Sequence, residues 1–382
     1  MPKKRILYIQ YTNPAGYPPL EHSSRILAND GWEVLFLGTG AKGANSLQFP
    51  EHPQITVLQI PFCEAGWRQK LHYLRYCVWV LMWVVRWQPQ WIYASDILVC
   101  PIAYFLTLVA NTQVIYHEHD SPNSVANNIF MAWCLKTRKL LGDRAKFCIL
   151  PNQGRIDKFI SETKTSKQVF CVWNCPRLDE VSPQRGDYKD NESIWLLYHG
   201  SIVPARLPLS VIKTLKHLPD IIKLRIIGYE TVGTTGYINQ IKALGTQIGV
   251  DERLEVIDAM PRSELLKWVM KSDIGLALMP VGSDDTNLVA MTGASNKVFD
   301  YLASGLPLIV SNLLDWDKMY VETGYGLACD PEDVNSIVNA VQWFINHPEE
   351  MRAMGERGRQ KILADWNYEK QFQPIAEILN QS

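Results

Sequence analysis

The chain carries almost no net charge: 38 lysines and arginines against 39 aspartates and glutamates leave a formal −1 over 382 residues. No global field of either sign is there to recruit nucleic acid, so none is expected as a partner. Long apolar runs are also missing. The longest, Cys77 to Val85, stops at Arg86 and is far too short to span a bilayer. The start, MPKKRILYIQY, is basic, but its short apolar run leads into Thr12, Asn13 and Pro14 rather than a small-residue cleavage site. It therefore reads as a first strand and not a signal peptide. Cysteine offers no framework. Eight are scattered, and Cys171 and Cys175 have no second pair that would complete a zinc site. Buried free thiols in a reducing cytoplasm are the expectation. No short internal repeat occurs.

What is present fits a globular protein: 47% hydrophobic and 20% charged residues, at a length sufficient for two domains with separate cores. The first half alternates strand-like and helix-like segments. Strands are expected at Arg5–Gln10, Glu33–Leu37, Ile55–Ile60, Trp91–Ala94, Gln113–Tyr116 and Lys146–Leu150. Helices are expected within Gly16–Asp30, Arg68–Trp87, from Leu98, and within Val125–Leu141. The rhythm breaks at a proline-bearing, aperiodic stretch and then restarts, with strands at Ile194–Tyr198, Lys223–Ile227, Leu254–Ile257, Ile274–Met279 and Leu308–Val310. The expected fold is α/β, with two doubly wound, Rossmann-like domains facing each other across a cleft. Their expected extents are 1–172, a linker at 173–191, 192–364, and a C-terminal helix at 365–382.

Residues 293–307, GASNKVFDYLASGLP, carry the clearest chemical signal. Gly293, Ala294 and Ser295 lead into a short amphipathic helix from Asn296. Gly305 can close that helix in a left-handed cap, and Pro307 blocks its continuation. Backbone N–H groups at such a helix start, with the helix dipole, attract phosphate. Lys297 and Asp300 are three apart and share a helix face. The lysine can meet a phosphate, and the carboxylate can accept hydrogen bonds from sugar hydroxyls. A capped helix with no ligand is the plainer reading of the same residues.

In open parallel sheets ligands bind beyond the carboxyl ends of strands, so the loops after the first strand of each half matter. TNPAGYPPLEHSSR places Gly16 where a backbone can approach a ligand, or where a strand simply turns into a helix. LLYHGSIVPAR places Gly200, Ser201 and Arg206 in one loop, and a guanidinium there could clamp a diphosphate. VIYHEHDSP offers His117, Glu118, His119 and Asp120. Neighbours at a strand end point to opposite faces, which argues against convergence on one metal ion. His119 is preferred as a hydrogen-bond partner for a substrate hydroxyl, with His117 and Asp120 behind it. Asp284 and Asp285 read as turn formers rather than a metal pair. The segment WRQKLHYLRYCVWVLMWVVRWQPQW can form a helix that touches a membrane surface. It can equally pack into the core, which its nearly all-round apolar stretch slightly favours.

With these residues in place, the chain resembles, over nearly its whole length, the retaining glycosyltransferases of the GT-B fold in the large family four (glycosyl transferases group 1). That family carries two glutamates with seven residues between them. Asp300, in DYLASGLP, stands at the second and would hold the nucleotide ribose. Thr292 stands at the first. A subgroup pattern, Ser-Asn-Lys-Val-Phe-Glu-Tyr, matches Ser295–Tyr301 with one Asp-for-Glu change. Arg206 fits the family's diphosphate-binding arginine, but no lysine follows at the usual spacing, Lys213 being later. His119 aligns with the histidine that contacts the donor sugar. SDIGLALMP and the WNYEKQ helix, which commonly crosses back to the first domain, are also similar.

The resemblance implies transfer of a sugar from a nucleotide-sugar donor to a hydroxyl of a glycan or lipid-linked acceptor, with retention. The catalytic set would be His119, Arg206 and Asp300. Donor contacts would come from Gly16, Gly200, Ser201, Arg206, Thr292, Gly293, Ala294, Ser295, Asn296, Lys297 and Asp300. No cofactor and no metal are expected, and the setting would be cytoplasmic, with peripheral contact at the inner face of the plasma membrane. A nucleotide-sugar epimerase on the same fold and a degenerate sugar-nucleotide-binding protein are the alternatives.

Overall fold

The computed structural model describes residues 4–41, 47–64, 66–185, 193–283 and 285–381. Asp284 of the acidic pair lies outside them. Residue contacts divide the chain into two units, 1–174 with 371–382, and 175–370.

The first unit is built on a seven-stranded parallel sheet: β1 (Arg5–Ile9), β2 (Glu33–Thr39), β3 (Ile55–Ile60), β4 (Trp91–Ser95), β5 (Gln113–His117), β6 (Phe147–Leu150) and β7 (Val169–Cys171), in the order β3-β2-β1-β4-β5-β6-β7. β1, β4, β5 and β6 are rich in apolar and aromatic residues and buried nearly throughout, as strands covered on both faces must be. The order reverses between β1 and β4, so the crevice above that switch point is where a ligand would enter. The C-terminal segment 371–382 joins this unit, where Asn380 Oδ1 accepts from Trp32 Nε1 at 3.0 Å and Lys4 Nζ at 3.2 Å.

The second unit repeats the plan with six parallel strands: β8 (Ile194–Ser201), β9 (Ile222–Tyr229), β10 (Leu254–Asp258), β11 (Ile274–Ala277), β12 (Leu308–Ser311) and β13 (Gly326–Cys329), in the order β10-β9-β8-β11-β12-β13. Its switch point lies between β8 and β11. Residues 175–185, read in the sequence as linker, belong to this unit. Ser182 N–H donates to Ala303 O at 3.0 Å, and Arg185 Nη1 lies 3.9 Å from Asp273 Oδ1. Residues 186–192 lie outside the described residues.

The fold is the doubly wound α/β pair that the alternation implied. β7 and β13 were not anticipated. Both are edge strands of three or four residues, and β13 begins with glycine, so neither shows a periodic pattern. The tryptophan-rich segment is a helix, Trp67–Trp87, ended by Gln88 in a left-handed conformation (φ 48°). Its apolar residues divide. Tyr73, Tyr76, Val80 and Val84 are buried against the sheet, while residues on the opposite side are exposed. The all-round apolar reading therefore holds for composition but not for burial.

Candidate functional site

In the second unit the helix Asn296–Ala303 forms as the sequence implied. Gly305 takes φ +71°, and Gly305 and Leu306 N–H close the last turn onto Leu302 and Tyr301 carbonyls at 2.9 and 3.0 Å. Its start differs in detail from the expectation. Gly293 takes φ +78° in the turn 292–294. Ala294 and Ser295 N–H, expected to face phosphate, both donate to Met291 O, at 3.0 and 3.2 Å. A reverse turn consumes these donors before the helix begins. The amides left by helix geometry are those of the first turn, from Asn296 onward. Ser295 makes no side-chain cap, and Ser295 Oγ and Asn296 Oδ1 are buried without a hydrogen-bond partner. Buried polar atoms of this kind are uncommon in folded proteins, and a polar ligand is one way to satisfy them.

Lys297 extends from that turn toward the end of β8. Gly200 there takes φ +107°, and a Cβ added to it would sit 3.0 Å from Lys297 Nζ. The bare glycine is thus what lets the ammonium lie over the strand end, 5.4 Å from the Tyr198 ring centroid. Gly228, paired with Gly200 on β9, is glycine for a related reason, since its Cβ would collide with the Gly200 carbonyl. Arg206 comes back to the same strand end and donates from Nη1 to Ser201 Oγ at 3.1 Å. Lys297 is buried (8% exposed), and burial, with the Arg206 charge beside it, pulls its amine down from 10.5 to about 7, against a weaker opposing pull from Asp300. No lysine stands in the loop after β8, and the ammonium beside Arg206 is that of Lys297, 91 positions later in the chain.

Asp300 lies one turn deeper and is 1% exposed. Its two oxygens accept from Arg262 Nη1 and Nη2 at 3.1 and 2.7 Å, and His199 Nε2 stands 3.5 Å from Oδ2. Arg262 also forks onto Glu180, at 2.6 and 3.1 Å. His199 is held neutral by burial first, then by the charges of Lys297 and Arg262. Arg262, Glu180 and His199 were not singled out in the sequence. Glu180 lies in the stretch read as linker, and Arg262 looks like an ordinary helix-start residue. Thr292 sits in the turn before the helix, half-buried.

In the first unit, the end of β5 sorts its side chains by alternation, as expected from strand geometry. Glu118 turns to one side, where Tyr116 Oη donates to it at 2.8 Å and Arg138 Nη2 at 2.8 Å. His117 and His119 turn to the other, with ring centroids 3.9 Å apart. His117 Nδ1 meets Tyr93 Oη at 2.6 Å, and His119 Nε2 meets Ser95 Oγ at 3.1 Å. His119 N–H donates to Asp96 Oδ1 at 2.9 Å, and Arg155 Nη1 donates to His119 O at 2.6 Å. Burial, aided by Arg155, lowers the His119 imidazole to about 3, so it is neutral, and its Nδ1 is buried without a partner. Asp120 lies 3.4 Å from Arg155. Gly16 is exposed in the turn Pro14–Gly16, with an ordinary φ and open space where a Cβ would go, so the fold itself does not require glycine there. Among the described residues, no group of three or more His, Cys, Asp or Glu is placed to hold a metal ion.

Residues 209–377 match the family model described as "Glycosyl transferase-like". Among curated proteins, a GDP-mannose-dependent alpha-(1-6)-phosphatidylinositol monomannoside mannosyltransferase of Mycolicibacterium smegmatis is 24% identical over 39% of this chain and 38% of its own length. A glycogen synthase of Mycobacterium tuberculosis is 24% identical over 31% of this chain and 26% of its own. The chain thus spans between a quarter and two fifths of the length of the curated relatives it matches. Solved structures align along the whole chain. A Rickettsia africae glycosyltransferase has a TM-score of 0.75 at 10% identity, covering 100% of this chain and 99% of that one. Anabaena Alr3699/HepE in complex with UDP and glucose has 0.73 at 15%, covering 99% and 100%. A sucrose-phosphate synthase from Thermosynechococcus elongatus has 0.69 at 15%, covering 99% of both. The fold is that of the GT-B glycosyltransferases.

Proposed function

We propose that the protein is a glycosyltransferase that moves a sugar from a nucleotide-sugar to an acceptor hydroxyl, with retention of anomeric configuration, in polysaccharide or glycolipid assembly. One observation carries the proposal: Arg206 and Lys297 converge over the bare backbone of Gly200 at the switch point of the second sheet. Two cations held together repel, and an anion between them turns that repulsion into binding. A diphosphate has the charge and length to take the guanidinium fork, the ammonium, Ser201 and the first-turn amides together.

The chemistry follows from that placement. The bond between the anomeric carbon and the diphosphate oxygen breaks as the acceptor oxygen bonds to the same carbon, on the same face. The acceptor proton passes to the departing phosphate oxygen, so no protein nucleophile is needed. Charge developing on the diphosphate is met by Arg206, Lys297 and the helix dipole, which stabilise the transition state more than the ground state. Within the first unit, His119 carries an unpartnered Nδ1 that can bond a sugar hydroxyl. Asp300, one turn along the same helix as Lys297, is the carboxylate placed to hold the nucleotide ribose. The GDP-mannose dependence named for the mycobacterial relative and the UDP complex of the Anabaena protein support a nucleotide-sugar donor and leave the base open.

The test is thermal shift of the full chain against UDP- and GDP-sugars, followed by NMR of the product anomer with the stabilising donor and acceptor candidates. A donor at a hundred times its dissociation constant should add about 2.7 kcal/mol. A retained anomer supports the reading. Conversion of the donor sugar without acceptor would show an epimerase instead, and binding with no turnover across the acceptors would show a binding protein.

A further inference from the structure

The helix Trp67–Trp87 is two-faced in a way the sugar-transfer reading leaves unused. Trp67, Leu71, Leu74, Val78, Met82 and Val85 are all more than half exposed, at 68, 60, 61, 58, 52 and 76%. At 3.6 residues per turn these six fall within about 80° of arc, diametrically opposite the buried Tyr73, Tyr76, Val80 and Val84. A solvent-facing stripe of this length on a water-soluble surface is costly, and such patches mark contact sites. The charges on the helix are of one sign: Arg68, Lys70, Arg75 and Arg86, with no acidic residue between Trp67 and Trp87. On the same wheel Arg68, Arg75 and Arg86 line one border of the stripe and Lys70 the other. Trp67 caps the stripe at the start of the helix, while Trp87 at the other end packs against the core. The neighbouring helix Ile129–Arg144 meets this helix on its buried side. Phe130 and Trp133 pack edge-on against Tyr73 with ring centroids 4.9 and 6.4 Å away, and Ile129 is 91% exposed.

We propose that this face is a docking surface for an anionic lipid bilayer, with the helix lying flat in the headgroup region. The stripe would insert among the upper acyl segments, and the arginines would lie against lipid phosphates. An interfacial helix pairs an apolar face with a cationic border, and both are built here. No helix among the described residues is long and apolar enough to cross a membrane, so the contact is one of lying on the surface. A second copy of the chain fits less well, since an isologous contact would bring the same basic borders together.

The experiment is co-sedimentation of the full chain with vesicles of phosphatidylcholine alone and of phosphatidylcholine mixed equally with phosphatidylglycerol, at low and high salt. Binding to the mixed vesicles, weakened by salt and weak to phosphatidylcholine alone, is expected. Arg68→Gln, Arg75→Gln and Arg86→Gln should each lower partitioning roughly fivefold, the equivalent of about 1 kcal/mol per surface cation. Combined, they should lower it roughly a hundredfold. Leu74→Asp with Val78→Asp should abolish binding. Both positions are exposed, and the arginine variants serve if the aspartates disturb folding. Wild-type protein left in the supernatant with mixed vesicles would overturn the proposal. So would an aspartate variant that binds as well as wild type, or light scattering that shows a concentration-dependent dimer broken by the aspartates while vesicles are ignored. None of these outcomes bears on donor binding, which the second unit carries.

Discussion

Raising the pH from 7 to 9 should weaken donor binding through one residue, Lys297. Its amine titrates at about 7 in the unliganded chain because it is buried beside Arg206. A diphosphate seated between the two cations restores the preference for the charged form and returns the amine toward its ordinary 10.5. Donor binding therefore takes up a proton, and near pH 8 the uptake should approach one per donor. By linkage, the dissociation constant should rise about fivefold from pH 7 to 8 and about tenfold from 8 to 9, roughly fiftyfold in all. Calorimetry in buffers of different ionisation enthalpy reads the proton uptake directly. Lys297→Met should weaken binding at pH 7 by about 1.5–3 kcal/mol, the worth of a charged hydrogen bond, and should flatten the pH profile. The sign for folding is separate. With the folded-state amine depressed, the unfolded chain binds the extra proton between about 7 and 10.5, so this group's contribution to stability is present at high pH and lost as pH falls through 7. The unliganded melting temperature of wild type relative to Lys297→Met should therefore improve on going from pH 7 to 10. Wild-type donor affinity that stays constant from pH 7 to 9, or Lys297→Met with the wild-type slope, would refute the reasoning.

Two further substitutions separate architecture from chemistry. Gly200→Ala forces a side chain into φ +107° and toward Lys297 Nζ. It should destabilise by about 1–3 kcal/mol and weaken donor binding beyond that of a distant variant of equal stability, as read by urea denaturation and calorimetry together. Arg138→Leu strips Glu118, whose side chain is fully buried, of its guanidinium partner. It should cost about 3–5 kcal/mol of stability by urea denaturation, with little effect on nucleotide binding by whatever protein remains folded.

Much of this was legible in the sequence because it is local. Strand and helix alternation, the Gly305 cap and the helix after Ser295 each rest on residues within a few positions of one another, and β8 announces itself by its buried run. The site was only half legible. Arg206 and Gly200 could be picked out because they follow the first strand of a unit, but the meeting of Lys297 with Gly200 depends on β8 and the Asn296–Ala303 helix being adjacent in space. Arg262 reaches Asp300 from 38 residues away in sequence and Glu180 reaches Arg262 from 82, with nothing local to mark them. The amides of Ala294 and Ser295 were read as free because a glycine-led turn does not reveal, in sequence, that it closes onto Met291. The Trp67–Trp87 helix shows the limit of periodicity, since its apolar content is legible but which side meets solvent depends on how many layers cover the sheet.

The central claim is that Arg206 and Lys297 hold a diphosphate. Calorimetry with two series, uridine to UMP to UDP and guanosine to GMP to GDP, tests it most directly in wild type and Arg206→Ala. In one series, affinity should climb steeply with each phosphate in wild type, and Arg206→Ala should lose about 1.5–3 kcal/mol of the climb while binding the bare nucleoside unchanged. Equal affinity for nucleoside and diphosphate in both series, or an Arg206→Ala variant that discriminates as wild type does, would contradict it.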